Sequence, residues 1–317
     1  MNIRTNPLLL NLFILLALIT SCKNQDKSEA GTESAAEEAN VGNVVEVVTK
    51  GMDFNLIKEI PSGWTTFKYV NNSFEPHFFV LEKMPDTLGL ATYKKELFPP
   101  FIAAFEHFQK GDFDAGMKEF EKIPPWFAEV ELSGGVGMTS PKSTSQSTFY
   151  LDPGTYVMEC YVRMPNGMAH TFMGMIAELT VTEDKNDAQP PAADHAITVS
   201  SESGISFADT MKEGEYVFSV KFEDQQQYEH MMGHDVNLVM MENDTLLNSL
   251  NSWINASDLM ALRSPSPEGL TFLGGVEDLP AESTGYFKAT LKSGRYVLIS
   301  EIPQAVERNM YKTFTVF

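Results

Sequence analysis

One set of landmarks appears twice along this chain, at matching intervals. Leu132-Ser133-Gly134-Gly135-Val136 is followed by Leu151-Asp152-Pro153-Gly154-Thr155-Tyr156-Val157 and then by Cys160. Phe272-Leu273-Gly274-Gly275-Val276 is followed by Leu291-Lys292-Ser293-Gly294-Arg295-Tyr296-Val297 and then by Ser300. From Gly135 to Gly154 is 19 residues, as it is from Gly275 to Gly294, and Cys160 and Ser300 each stand 25 residues beyond the same glycine. Self-similarity of this kind marks a duplicated structural unit, in which Cys160 and Ser300 are equivalent positions. An upstream element also recurs, Pro76-His77-Phe78-Phe79-Val80-Leu81 against Gly233-His234-Asp235-Val236-Asn237-Leu238, each with a histidine at a strand start.

Within each unit the segments read as short strands between turn formers. Thr65 to Asn72 is rich in β-formers and ends in Asn-Asn, and Gly154 to Val162 follows a Pro-Gly turn. Ala177 to Thr182 and Tyr311 to Phe317 alternate apolar with polar residues. From its histidine to its glycine pair the first unit is longer than the second, and the extra length falls near 91–127. There Phe101, Ala104, Phe105 and Phe108, and then Phe113, Met117 and Phe120, recur at helical spacing. Leu246 to Ile254 is a shorter helical counterpart. The polar, Pro-containing stretch 184–195 separates the units. The expected fold is all-β, two Greek-key sandwiches in tandem over 43–183 and 196–317, with a helical insertion in the first.

The N-terminus has a different character. Arg4, an apolar run from Leu8 to Ile19 broken by Asn11, and Thr20-Ser21-Cys22 read as a secretory signal over 1–21. The run is shorter than the roughly 20 apolar residues a membrane-spanning helix needs. Ile19-Thr20-Ser21-Cys22 resembles the bacterial lipobox, which implies cleavage before Cys22 and acylation of its thiol, with palmitate among the lipids such a residue carries. Residues 22–42 are rich in Glu, Ala, Ser, Asn and Lys and form a flexible tether on this reading. The expectation is a lipoprotein of the bacterial cell envelope, held to a lipid membrane through Cys22 and facing the periplasm or the cell surface.

With 23 Lys+Arg against 43 Asp+Glu, the formal net charge is −20, which excludes a basic nucleic-acid-binding face as the chain's main device. The chain has two cysteines, and once Cys22 is acylated Cys160 has no partner for an intramolecular disulfide. An unpaired thiol in an oxidising compartment wants either burial as a small apolar residue or a ligand.

Around that thiol the chemistry concentrates. Cys160 ends a β-rich run, nine residues separate it from His170, four more separate His170 from Met175, and His77 lies upstream after a proline. This order resembles the ligand loop of cupredoxins, the single-copper sandwich proteins, over about 43–183 and more weakly over 196–317. The resemblance implies one mononuclear copper in the first unit, with His77, Cys160 and His170 in a trigonal plane and Met175 at a longer axial distance. Met173 is the rival for the axial place, and Met164 and Met168 are further soft donors or adaptable packing. The nine-residue gap is longer than the two to four typical of small electron carriers, so a more open copper is one expectation.

The second unit carries Ser300 where the thiolate would be, and no histidine follows it. Its sequence His230-Met231-Met232-Gly233-His234 is a possible soft metal cluster. Two-domain copper enzymes resemble this layout but place a histidine beside the thiolate cysteine, whereas Cys160 lies between Glu159 and Tyr161. Six histidines with no His-x-His pair leave a second catalytic copper without ligands. The expected role is electron transfer or copper handling with an envelope redox or copper-handling partner, in a carrier rather than an enzyme. A Cu(I) store and a metal-free binding module remain the alternatives.

Overall fold

The structure is a computed structural model that describes residues 43–317 except 209 and 229–231. The signal, Cys22, the tether, His230 and Met231 lie outside the described residues. The first unit contributes β1 (Val44–Thr49), β2 (Glu59–Asn71), β3 (His77–Lys83), β4 (Glu131–Thr139), β5 (Ser143–Leu151), β6 (Gly154–Glu159) and β7 (Ile176–Lys185). The second contributes β8 (His195–Ser200), β9 (Gly204–Ser206), β10 (Thr210–Met211), β11 (Gly214–Phe222), β12 (Val236–Met241), β13 (Leu270–Val276), β14 (Thr284–Leu291), β15 (Gly294–Ile299) and β16 (Tyr311–Val316).

The tandem β-sandwiches are those the repeat implies. In the first, β1, β2 and β5 face a sheet ordered β4-β3-β6-β7. Strand β2 serves both layers, because Glu59–Pro61 runs parallel to β7 and, past an irregularity at Ser62, Gly63–Asn71 pairs with β5. In the second, β9-β8-β11-β14 faces β13-β12-β15-β16-β10. Every second residue of β2 turns inward, and Phe67 stacks on Phe149 at 5.2 Å between ring centroids. Phe218 stacks on Phe287 at 4.8 Å in the other unit.

The repeated Gly-Tyr turn has a physical reason. Tyr156 Oη donates to the Asp152 carbonyl at 2.7 Å, and its counterpart Tyr296 Oη donates to that of Lys292 at 2.8 Å. Each phenol is buried against the sandwich and returns its polar end to the backbone four residues earlier, pinning the corner. Tyr216 repeats the contact with Lys212 at 3.2 Å.

The two units are also hydrogen-bonded edge to edge. Strand β5 pairs antiparallel with β14, and β4 with β13. Ser147 lies opposite Phe287 and Val136 opposite Val276, so each residue faces its own counterpart in the other copy. The duplication therefore closes on itself about a local two-fold axis. Glycine lets the two units approach, since a Cβ on Gly137 would meet the Gly275 backbone across the junction. Gly134 (φ 92°) and Gly274 (φ 91°) adopt left-handed backbone beside the bulges of the neighbouring pairings. A Cβ on Gly135 would run into the Phe79 carbonyl oxygen, and one on Gly275 into that of Val236.

The insertion forms α1 (Leu90–Glu96), α2 (Phe98–Gln109), α3 (Phe113–Phe120) and a 3-10 turn at Pro125–Glu129. It covers the outer face of the β3-β6-β7 sheet, packing Tyr93, Leu97, Phe101 and Trp126 about Val157 and Ile176. That cover explains why β3 is buried on both faces rather than alternating. Between helices and sheet lies a cavity of about 580 Å³, lined by Phe101, Phe105, Phe120, Phe172, Glu82 and Glu159 among others. No helix among the described residues is long and apolar enough to cross a membrane.

Gly135→Ala is expected to destabilise the fold by roughly 2–3 kcal/mol, since backbone must move to admit the methyl. Gly51→Ala, with open space around its Cα, should be near neutral. Denaturant midpoints for the two variants check the contrast.

Candidate metal centre

Strands β3 and β6 are antiparallel neighbours, with Val80 opposite Glu159. Side chains alternate along both, so His77, Phe79 and Leu81 of β3 share the inner face with Cys160, just past the end of β6. Glu82 and Glu159 point to the outer face, toward the cavity. Pairing thus places His77 and Cys160 at the same end of the sandwich.

His170 reaches them by a hairpin. Arg163 bridges Ala169, Met164 accepts from the Gly167 amide at 2.8 Å, and the His170 amide donates to the Val162 carbonyl at 2.7 Å. The nine residues after Cys160 therefore fold back on the strand rather than opening the site. A single helical turn, α4 (His170–Met173), ends at Gly174 (φ 123°), and the chain returns with the Cys160 amide donating to the Met175 carbonyl at 3.2 Å.

His77, Cys160 and His170 are completely buried, and one donor atom of each lies within 4.8 Å of the others. The two Nδ1 atoms are 3.1 Å apart, and Cys160 Sγ is 3.7 Å from His77 Nδ1. Metal–nitrogen and metal–sulfur bonds of roughly 2.0 and 2.3 Å span such separations from one point. Met175 is fully buried, its amide donating to the His170 carbonyl at 3.0 Å, whereas the Met173 side chain is 50% exposed. Burial favours Met175 over its rival. Met164 and Met168 are half-buried in the hairpin.

The electrostatics suit a cation that is not itself a proton. Burial, and then the facing His170 ring, lower His77 to about 3; burial lowers His170 to about 4. Burial pushes the Cys160 thiol up to about 12, although the Phe78 and Val162 amides act in the other direction. Both imidazoles are neutral and the thiol is protonated at neutral pH, so a metal would displace one proton. His170 Nε2 lies 3.3 Å from Glu75 Oε2, a carboxylate close behind a candidate ligand, although the two atoms do not meet in hydrogen-bonding geometry. Sequence reasoning missed Glu75; its place two residues before His77 was the available signal.

The surroundings clamp the hairpin from two sides. Phe172 of α4 sits among Phe98, Phe101 and Phe105 of the insertion, at 4.9, 5.7 and 6.0 Å between centroids. From the second unit, Leu262 accepts from the Arg163 amide at 2.8 Å and the Ser264 amide donates to Arg163 at 2.9 Å. The buried Arg163 guanidinium donates to the carbonyls of Ala256, Asp258 and Ala261 at 2.8 to 3.1 Å.

The equivalent place in the second unit is built differently. His234 has its ring engaged by the protein, with Nε2 3.2 Å from Tyr228 Oη and Nδ1 3.3 Å from the Asp224 carbonyl. Ser300 Oγ donates to Asp235 at 2.5 Å. Of the possible soft cluster at 230–234, His230 and Met231 are outside the described residues.

No protein-family model matches the sequence, and no curated protein matches it. Among solved structures, auracyanin B is similar at a TM-score of 0.30 and 13% identity, over 41% of this chain and 99% of that one. Auracyanin A, a "blue" copper protein from Chloroflexus aurantiacus, is similar at 0.27 and 18% identity, over 44% and 98%. The Cu-containing nitrite reductase of Thermus scotoductus SA-01 gives 0.22 and 10% identity, over 86% of this chain and 61% of that one.

Cys160 in the metal-free folded protein is expected to resist a thiol-selective disulfide reagent at pH 8. Its thiolate fraction should be about a thousandfold below that of an exposed thiol, before burial slows access further. Prompt reaction of the native protein would contradict a buried, protonated thiol.

Proposed function

We propose that the first unit binds one copper ion through His77, Cys160 and His170, with Met175 as the weak axial donor, and serves in electron transfer. The observation that carries this reading is the convergence of two imidazole nitrogens and one thiol sulfur, all buried, at the end of one sandwich. Copper held by such donors supplies a one-electron couple, because soft sulfur suits the reduced ion and nitrogen tolerates the oxidised one. The chain's contribution is rigidity. The donors are already gathered, and the hairpin bearing two of them is clamped by α2 and by the second unit, so little rearrangement accompanies a change of charge. Phe74, 86% exposed, precedes the Glu75-Pro76-His77 segment and offers an apolar contact for a redox partner.

The same reading places the protein in the bacterial cell envelope, acylated at Cys22 and tethered by residues 22–42. That arrangement supplies a membrane-confined carrier able to meet envelope partners within the reach of its tether. Electron transport is favoured over simple copper storage because the candidate ligands are fully buried, which hinders delivery of the ion to another protein.

Visible absorption and metal content of residues 40–317, after addition of Cu(II) and oxidant, test the site. One copper per chain with an intense thiolate band is the expected outcome, and Cys160→Ser should abolish the band. Ser300→Cys should create no second centre, because the His234 ring is already engaged and no histidine follows. A colourless copper complex would favour a Cu(I) carrier.

Affinity should also depend on pH in a definite sense. Between about pH 5 and 9 the imidazoles are already neutral and one thiol proton is displaced per ion, so apparent affinity rises about tenfold per unit. Competition titrations at pH 6 and pH 8 should differ about hundredfold once the competitor's own protonation is corrected; equal affinities would exclude the thiol as a ligand.

A further inference from the structure

Beside the local two-fold axis lies a second group of buried ligating side chains. Asp235, Glu277 and Glu301 are at most 2% exposed, and one carboxylate oxygen of each lies within 4.8 Å of the others. Asp278, also buried, adjoins them in sequence. Their counterparts across the repeat are Phe78, Gly137 and Tyr161, so the cluster belongs to the second unit alone. It flanks Ser300, the residue that replaces the thiol.

The cluster is organised but incomplete. Asp235 Oδ1 accepts from Ser300 Oγ at 2.5 Å and from the Glu301 amide at 2.7 Å, and Asp235 Oδ2 accepts from Asn237 Nδ2 at 2.8 Å. Glu301 accepts from Tyr161 Oη at 3.0 Å, a contact between two-fold counterparts, and from Asn237 Nδ2 at 3.3 Å. Glu277 is different: both its carboxylate oxygens are buried and find no hydrogen-bond partner. No Lys, Arg or His among the described residues forms an ion pair with any of the four acids.

Neutralising the group with protons alone does not satisfy it. Burial and mutual repulsion do raise Glu277 and Glu301 well above the usual carboxylate range. A protonated Glu277 would still leave a hydroxyl and a carbonyl unpaired in the interior, a costly state for a polar group. A divalent cation would engage those oxygens and relieve the repulsion together. The other two carboxylates already carry the outer hydrogen bonds that orient ligands.

We propose that Asp235, Glu277 and Glu301 bind an oxygen-preferring divalent cation, of the calcium or manganese class, within the second unit beside its junction with the first. All three offered donors are hard carboxylate oxygens, and no sulfur or nitrogen donor joins them, which selects against copper. The large cavity is lined by Tyr161, which donates to Glu301, and by Asp278, the neighbour of Glu277. The site is structural: it would tie β12, the strand end after β13 and the segment after β15 together where the units meet. This inference is independent of the copper reading.

The test uses the full chain, stripped by chelator and titrated with calcium chloride or manganese chloride while thermal unfolding is followed. One cation per chain should remain after gel filtration, and the unfolding midpoint should rise by roughly 5 °C or more at saturation. Cys160→Ser should keep the response, which separates this site from the proposed copper centre. Glu277→Gln should abolish the response while leaving the midpoint of the chelator-treated protein close to that of the unaltered chain. If that variant does not fold, cation retention by the unaltered chain decides alone. A wild-type chain that retains neither cation at millimolar concentration, or a Glu277→Gln chain that responds fully, overturns the proposal.

Discussion

Strands β5 and β14 meet with Ser147 opposite Phe287, and β4 and β13 with Val136 opposite Val276. These pairings turn two sandwiches into continuous sheets, and the rest of the molecule is arranged around them. Edge strands are exposed templates for association, and here each copy covers the edge of the other. The arrangement has the geometry of an isologous dimer written into one chain. Its constraint is backbone proximity: a Cβ on Gly137 would meet the Gly275 backbone across the junction, and one on Gly135 or Gly275 would collide with a carbonyl of the neighbouring strand in its own sandwich.

Once joined, the copies differ in the side chains they gather. The first keeps two imidazoles and a thiol at the end of its sandwich and gains three helices that cover its outer sheet face. The second has Ser300 at the position of the thiol and directs its loop after α5 (Leu246–Ile254) against the first unit's hairpin. Arg163 is the joint. Its guanidinium fills three carbonyls of that loop, and its backbone pairs on both sides. The second unit thereby holds the hairpin that carries Cys160 and His170 in place, since a hairpin of this length would otherwise be free to sample many conformations.

Much of this was legible because it is written locally. Tyr156 and Tyr296 follow a turn glycine, Phe101, Ala104 and Phe105 recur at helical spacing, and β2 alternates in and out. Each pattern reflects neighbours along the chain, so each survives without tertiary knowledge. The sequence of β3 is less plain, since Phe78, Phe79, Val80 and Leu81 run without alternation. Only the helical insertion, lying on the outer face, explains why both sides are buried. The long interval from Cys160 to His170 suggested an open loop; backbone pairing of Arg163 with Ala169 makes it a closed hairpin instead.

From the sequence alone came the duplication, the all-β class, the insertion, and the residue types and order of His77, Cys160, His170 and Met175, all of them properties of composition and interval. The three-dimensional fold decided what intervals cannot express. It buried Met175 and exposed Met173, brought Glu75 behind His170, and set Asp235, Glu277 and Glu301 within reach of one another from three separate segments. Side chains distant in sequence converge only through strand register and the pairing of the two copies. Register is a long-range property, in which a shift of one residue would turn every such side chain to the opposite face.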